Sequence, residues 1–483
     1  MKLYRFQGEA IDKLENTPSC LIADDMGLGK TVEALALDCR RRVNQLQGQK
    51  QTDHKTLIVA PLSVLGSWQR HIEMVWPGAR VCVINPKNRW FLIEALKRPY
   101  HYYVVHWEAL RLIDELKSVQ WWHVIADEVH KAKNRKAMQT QGQKKLTTRY
   151  KTGLSGTPAD NAPQDIWSVL NWLYPKVFSS YWSFFRYHVM VKVETNRKGQ
   201  SFKKICGVAN AEELHRQIAP FYIRRLKEDV IRDLPDKYYS EVYVELGRDQ
   251  RRIYDQMRRD MLSWVGAQED QPIAAPIVLA QLSRLRQFAL AHAELITRHK
   301  YDQVSRETRE FTQVRLTEPS AKLDAAMEII EDTLQPLVVF SSSKQIINLL
   351  EARLAGKGIS HVVLTGDTPH NARDQLIESF QSGRVRVFAG TIAAGGIGIT
   401  LTKASTVIFL DRAWNPSQNR QAEDRLHRIG QENAVHVIDI IARNTVDGGH
   451  LQQVRLKWEW LKVLLGDQVE PTIYEEADRA QMA

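Results

Sequence analysis

The stretch Asp24-Asp25-Met26-Gly27-Leu28-Gly29-Lys30-Thr31 stands between a short apolar run, Cys20-Leu21-Ile22-Ala23, and the segment Val32-Glu33-Ala34-Leu35-Ala36-Leu37. The apolar run predicts a buried strand and the segment after it a helix. A glycine-bearing turn between such elements points successive backbone N–H groups inward at a helix N-terminus, where they and the helix dipole hold phosphate. Asp25, Met26, Gly27, Leu28 and Gly29 form that cradle. Lys30 is then placed to reach the β- and γ-phosphates of ATP, and the Thr31 hydroxyl to ligate Mg²⁺. The strict pattern has glycine five residues before Gly29, where this chain has Asp24.

Upstream, Leu3-Tyr4-Arg5-Phe6-Gln7 sets a glutamine, able to pair with both edges of adenine, beside aromatics able to stack on the base. Downstream, Thr56–Pro61, Tyr102–Val105 and Trp121–Ala126 read as three more apolar strands separated by helices. That alternation predicts a parallel sheet covered on both faces, with ligands at the strands' C-terminal ends. The last of these strands runs into Asp127-Glu128, where one acid can hold the Mg²⁺ shell and the next can orient the attacking water. Thr152–Pro158 reads as a tight small-residue turn whose Ser155 and Thr157 hydroxyls can sense the acid pair. Aromatics crowd residues 162–220, and their spacing predicts a helical protrusion packed as core. Asn196–Gln200 reads as an exposed loop, and Arg224–Lys227 with Leu234–Lys237 as a hinge.

The 483 residues carry a formal charge of +11, which favours a polyanionic partner. Eight basic residues between Lys131 and Lys151, with no acid among them, make phosphate contact the preferred reading of that run. No apolar run approaches the ~20 residues of a membrane span, and the N-terminus lacks the apolar core of a signal peptide, so the expected compartment is the cytoplasm. Cys20, Cys39, Cys82 and Cys206 form no Cys-x-x-Cys pair, which argues against a zinc site or a disulfide framework.

Residues 248–310 are polar, Arg- and Gln-rich, and read as helical, a second protrusion. From Lys322 a second α/β unit begins, with strands predicted at Pro336–Ser341, His361–Leu364, Arg386–Thr391 and Val407–Asp411. It contains no second phosphate loop. Its most informative stretch is Gln421–Gln431: on a helix Arg425 and Arg428 share a face, where two guanidiniums can stabilise charge on a transferring phosphoryl group. An amphipathic helix with surface arginines is the other reading of the same stretch.

Taken in order, these motifs resemble the Swi/Snf-type ATPases of helicase superfamily two over nearly the whole chain. The resemblance rests on Asp24–Thr31, Asp127–Asn134, Leu154–Pro158, Arg225–Val230, Ala394–Gly398, Trp414-Asn415-Pro416 and His427–Gln431. The family accepts Asp at position 24. Val129 stands where Gly or Ala is usual, and Ile392 replaces a frequent Arg. Gln421–Arg425 and Ile441–Asp447 look closest to the fork-remodelling, annealing branch.

The resemblance implies an α/β fold of two RecA-like lobes, at 1–234 and 235–483. Helical insertions are expected at about 162–220 and 248–315, and an arginine-finger helix at 421–431. It implies that Gln7 reads adenine, Lys30 and Thr31 hold phosphate and Mg²⁺, Asp127 supports the metal, Glu128 positions water, and Arg425 and Arg428 are arginine fingers. Ser63, Ser342, Arg373 and Trp414 match positions that face DNA. The implied activity is a DNA-stimulated ATPase stepping along double-stranded DNA, forked or branched substrates included, and able to act as a monomer. A strand-separating or branch-migrating helicase and a nucleotide-switched DNA-binding module with little turnover are the alternatives, and charge alone does not exclude RNA. Little flanks the motor motifs, so a bacterial or phage protein is expected.

Overall fold

The computed structural model describes residues 3–45, 54–84, 89–195, 201–231, 234–267, 275–302, 307–395 and 399–467. The chain divides into two units, residues 1–232 with 456–483, and residues 233–455.

Among the described residues of the first unit there are nine strands: β1 (Ser19–Ile22), β2 (Thr56–Ala60), β3 (Val81–Ile84), β4 (Tyr102–His106), β5 (Gln120–Asp127), β6 (Thr147–Leu154), β7 (Val189–Thr195), β8 (Ser201–Val208) and β9 (Tyr222–Ile223). Seven form one sheet in the order β3-β4-β2-β5-β6-β1-β9, parallel throughout. Every residue of β1, β2 and β4 is buried, because helices cover both faces of a parallel sheet. Alternate residues therefore feed two cores. Leu57 and Val59 join Tyr103, Val105 and Val124 on one face, while Ile58 and Ala60 join Cys20, Ile22 and Val104 on the other.

The second unit contains β10 (Lys237–Val244), β11 (His292–Asp302), β12 (Glu307–Thr317), β13 (Leu337–Ser341), β14 (His361–Leu364), β15 (Val387–Thr391), β16 (Thr406–Phe409) and β17 (Val435–Ala442). Six of them form a second parallel sheet, β10-β17-β16-β13-β15-β14.

Several expectations change. β3 and β6 are strands that the sequence pattern does not announce. β6, Thr-Thr-Arg-Tyr-Lys-Thr-Gly-Leu, carries too few apolar side chains to stand out, yet runs straight through the start of the supposed turn. β10 and β17 extend the second sheet beyond the four strands expected. Neither insertion is purely helical: β7 and β8 form an antiparallel hairpin in the first, and β11 and β12 one in the second. The first insertion's aromatics do pack as core, with Trp167, Trp172, Phe178 and Phe184 buried. The segment from Leu456 belongs with the first unit rather than the second, because Leu461 and Leu464 are buried in its core. Asn196–Gln200 and Gly396–Gly398 lie outside the described residues.

Candidate nucleotide site and its supports

Register sets the frame. Ile22 of β1, Leu154 of β6 and Asp127 of β5 stand in one row across three adjacent strands. The turns that follow these residues therefore share one end of the sheet. Residues 24–29 pass from β1 into the helix Lys30–Gln45. Gly27 (φ +89°) and Gly29 (φ +84°) take left-handed conformations that side chains resist. A Cβ on Gly29 would lie 2.6 Å from Gln7 Nε2, so a side chain there would have to displace the Gln7 amide from its place against the loop.

Gln7 is buried on the helix Arg5–Leu14. Its Nε2 donates to the Leu28 carbonyl at 3.1 Å, and its Oε1 accepts from Tyr4 N–H at 3.1 Å. The glutamine expected to contact adenine is thus bonded to the phosphate loop itself. Tyr4 and Phe6 stack beside it with ring centroids 5.6 Å apart.

The Lys30 ammonium donates to the carbonyls of Asp24 (2.7 Å) and Asp25 (3.1 Å). Burial pulls its pKa below the ordinary lysine value, against the opposing pull of Glu128, Asp24 and Asp25. Asp127 closes β5. Its Oδ2 accepts from Trp68 Nε1 at 2.9 Å and its Oδ1 from Glu128 N–H at 3.0 Å, while its own carbonyl accepts from Trp107 Nε1 at 2.9 Å. Burial, then the neighbouring Glu128, pushes Asp127 up to about 6. Glu128 has φ +50°, an uncommon conformation for a residue with a Cβ.

His130 Nδ1 lies 3.2 Å from Glu128 Oε2 and 2.9 Å from Ser155 Oγ. Burial, the largest single influence, would lower this histidine, but the bond to Glu128 together with the charges of Glu128 and Asp160 outweighs it and the pKa rises. Ser155 thus reaches the acid pair through His130, one link further away than the sequence suggests. The same turn touches the loop, since a Cβ on Gly156 would meet Met26 Cγ at 2.9 Å.

Two arginines hold the loop from behind. Arg225 binds Asp24 and, at 2.6 Å, Glu33, both fully buried carboxylates. Burial, and then Asp24, raises Glu33 to about 8. Arg224 grips Asp467 through two 2.8 Å bonds and also donates to the carbonyls of Ala23 and Gly156. The sequence marks these two arginines as part of a hinge, and Arg225 also as the start of a family motif, with no carboxylate partner assigned to either. An Arg-Arg pair following an apolar strand is the available signal, but the carboxylates that meet it lie 201 and 243 positions away.

The chemistry of the donor set fits a hard divalent cation. A threonine hydroxyl and one carboxylate, completed by substrate oxygens and water, is how Mg²⁺ is commonly held beside phosphates. Two adjacent acids, one pushed to about 6 by burial and its neighbour, are the environment a cation would relieve. Among the described residues no cluster of three or more His, Cys, Asp or Glu side chains forms a metal site of its own.

In the second unit, the helix carrying the arginine motif ends early. It spans Pro416–Glu423, and Arg425 and Arg428 lie in the turns beyond it. The helical-face argument is therefore corrected. The arginines converge all the same, each donating through Nη1 to the Ile399 carbonyl, at 3.4 and 3.3 Å, with Arg428 also bonded to Thr400 Oγ1 at 2.9 Å. Gln431 locks this turn by donating to the carbonyls of Thr402, Ala404 and Leu426.

The residues matched to DNA-facing positions are placed as follows. Ser63 sits in the short turn after β2, and its buried hydroxyl has no hydrogen-bond partner among the described residues. Ser342 is tied to Asp411 through both its N–H and its hydroxyl. Arg373 donates to the carbonyls of Thr368 and Thr365. Trp414 is partly exposed, with the Arg286 guanidinium 5.0 Å from its ring. Of the basic run, Lys131, Lys136, Lys145 and Arg149 are exposed. Lys133, Lys144 and Lys151 are spent on Asp160, Asn171 and the Trp172 carbonyl, and Arg135 lies 4.4 Å from the Tyr181 ring.

Residues 10–293 match the SNF2-related domain and residues 321–430 the helicase conserved C-terminal domain. The chain is 30% identical over 444 residues to a chromodomain-helicase-DNA-binding protein 1-like of Danio rerio, covering 90% of this chain and 40% of the relative. It is 27% identical over 480 residues to an uncharacterized ATP-dependent helicase of Mycoplasma genitalium, covering 97% and 42%. It thus spans about two fifths of the length of these curated relatives. The SWI2/SNF2 ATPase core of Sulfolobus solfataricus, solved in complex with double-stranded DNA, is 25% identical, with a TM-score of 0.43 over 97% of this chain and 98% of that one.

Proposed function

The chain belongs to the SNF2-related family of helicase-like ATPases, and on that premise we propose that it couples ATP hydrolysis to movement along double-stranded DNA. The observation that carries the reading is the row Ile22–Leu154–Asp127, which sets the phosphate loop, the acid pair and the Ser155 turn at one end of one sheet.

In this reading the N–H groups of residues 25–29 and the N-terminus of the helix from Lys30 cradle the phosphates. Lys30 exchanges its two loop carbonyls for phosphate oxygens. Thr31 and Asp127 would hold Mg²⁺, which when bound would neutralise phosphate charge. Glu128, held by the backbone at φ +50°, orients and deprotonates the attacking water. His130 and Ser155 keep its carboxylate in place. Trp68 and Trp107 fix Asp127 from either side. Arg425 and Arg428 supply the guanidiniums that stabilise charge on the transferring phosphoryl group. Ser63, Ser342, Arg373 and Trp414 contact the DNA backbone, Ser342 after release from Asp411. The motor acts as a monomer on duplex, forked or branched DNA in the cytoplasm of a bacterium or a phage-infected cell.

The test is ATP hydrolysis measured without nucleic acid and with duplex DNA, single-stranded DNA or RNA, with Glu128→Gln as the blank. Strong stimulation by duplex is expected. Stimulation by single strands alone replaces translocation with strand separation, and hydrolysis indifferent to every polymer overturns the motor reading.

A further inference from the structure

The β7–β8 hairpin is an exposed two-stranded ribbon with an unusual surface. Met190, Val191 and Val193 are exposed at 48%, 38% and 59%, and Lys192, Lys203 and Lys204 are exposed as well. The register sets Lys192 directly opposite Lys204, and Val193 opposite Lys203. Like charges placed opposite each other on a sheet face repel, and a lone hairpin is marginally stable in water. The one acid in either strand, Glu194, lies 3.3 Å from Lys204 and offsets only part of this charge. A ribbon that keeps valines exposed and lysines opposed is suited to a surface that is both anionic and grooved.

We infer that the β7–β8 hairpin is a duplex DNA-contacting arm of the first unit, separate from the motif residues that face DNA, with Lys192, Lys203 and Lys204 meeting phosphates. The inference rests on the DNA reading above. The major groove of B-form DNA admits a two-stranded ribbon. The seven residues of β7 reach about 24 Å at ~3.4 Å each, enough to cross the groove and its flanking phosphates. The valines then pack against sugars and base edges while the lysines displace counterions.

The experiment titrates the full chain against a blunt duplex by fluorescence anisotropy across a salt series. It compares the native protein with the triple variant Lys192→Gln, Lys203→Gln, Lys204→Gln, and uses Lys357→Gln, an exposed lysine of the second unit, as the control. The triple variant is expected to bind roughly tenfold or more weakly near 0.15 M salt. Its log–log salt slope should be shallower by up to about 2.7, at ~0.9 for each phosphate no longer neutralised. Cys206, on β8, is the exposed cysteine of the four. A photoreactive maleimide placed there should cross-link the duplex in the otherwise native protein, with Cys206→Ser as the blank. This second readout decides the matter if the triple variant fails to fold. Native protein that binds duplex steeply with salt, beside a folded triple variant of the same slope or a Cys206 probe that captures no DNA, overturns the arm and leaves the motor reading standing. Native protein that does not bind duplex at all overturns both.

Discussion

Two turns invite comparison, the one after β1 and the one after β13. Each follows a fully buried strand of a parallel sheet, and each precedes a helix, Lys30–Gln45 in the first unit and Lys344–Gly356 in the second. The first has two glycines at positive φ and is followed by a lysine. The second is Ser341-Ser342-Ser343, and it is filled: Asp411 accepts from both the Ser341 and Ser342 hydroxyls and from Ser342 N–H, with Arg286 at 2.9 Å on the same carboxylate. In the first turn a lysine ammonium rests on the loop's own carbonyls, and in the second the backbone and hydroxyls are taken by a carboxylate of the chain's own. The difference teaches that two turns in the same place on similar parallel sheets are given different chemistry by their residues, and on the proposed reading nucleotide binding belongs to the turn and not to the fold that carries it.

The comparison breaks most directly at Lys30. Lys30→Ala should lower ATP turnover by at least ~10³-fold, the scale of losing a charge that meets a transferring phosphoryl group, and leave duplex affinity within about twofold. Unchanged turnover in a steady-state assay would remove the functional distinction between the two turns. On the filled side, Asp411→Ala leaves the buried Arg286 charge without its carboxylate. It should cost the second unit about 3–5 kcal/mol, seen as faster native-state hydrogen exchange in β13 and β16, with ATP affinity of the first unit retained. Protection equal to that of the native chain would show that the carboxylate is not what closes this turn.

A third prediction concerns the floor beneath the first turn. Asp38, on the phosphate-loop helix, is fully buried and accepts from Arg42, Tyr102, Thr56 and His123. Burial depresses the His123 pKa to about 4, with Asp38 opposing the fall and Arg41 and Arg42 adding to it. The folded histidine therefore stays neutral while the unfolded one takes a proton below pH ~6.5. Stability is full above that pH and falls as pH drops toward 4, by about 3 kcal/mol for this group. Asp38 is itself held below the usual carboxylate range, so its contribution disappears only at lower pH still. Thermal midpoints of the native chain and His123→Gln from pH 7.5 to 4.5 test this: the native chain should lose its advantage across the window, and parallel curves would rule the histidine out.

The smallest effect sharpens the comparison within glycine. Gly29→Ala meets Gln7 Nε2 and must hold φ +84°, a strain of order 1–3 kcal/mol that should weaken nucleotide binding by roughly ten- to a hundredfold. Gly366→Ala, in the turn after β14, has no atom within 4 Å of the new Cβ and should change nothing. Equal effects in a nucleotide titration would mean that the first turn is not specially shaped.

Much of this is legible in the chain. The loop Asp24–Thr31 and the acids after β5 are local in sequence and explained by spacing and residue chemistry; the arginine pair is local too, but its helical spacing is not what brings Arg425 and Arg428 together. What escapes is non-local or weakly patterned. β6 lacks an apolar run, the hairpins sit in polar sequence, and the helix before Arg425 ends at Glu423. Glu423 is bound by Arg412 and Lys237, which hold its carboxylate at about 2 despite burial. No local propensity foretells that network.

The sequence by itself determined the family and the alternation that makes two parallel sheets, and it nominated the groups proposed to meet a nucleotide. These follow from short-range pattern, because strand period, glycine conformation and side-chain chemistry act over a few residues. Only the tertiary structure decided how those groups are held: Gln7 on the Leu28 carbonyl, Asp127 between two tryptophans, Arg224 on Asp467, two arginines on one carbonyl, and Asp411 filling the turn that lacks a lysine. Buried polar atoms must find partners wherever the fold supplies them, and those partners lie tens to hundreds of residues away along the chain.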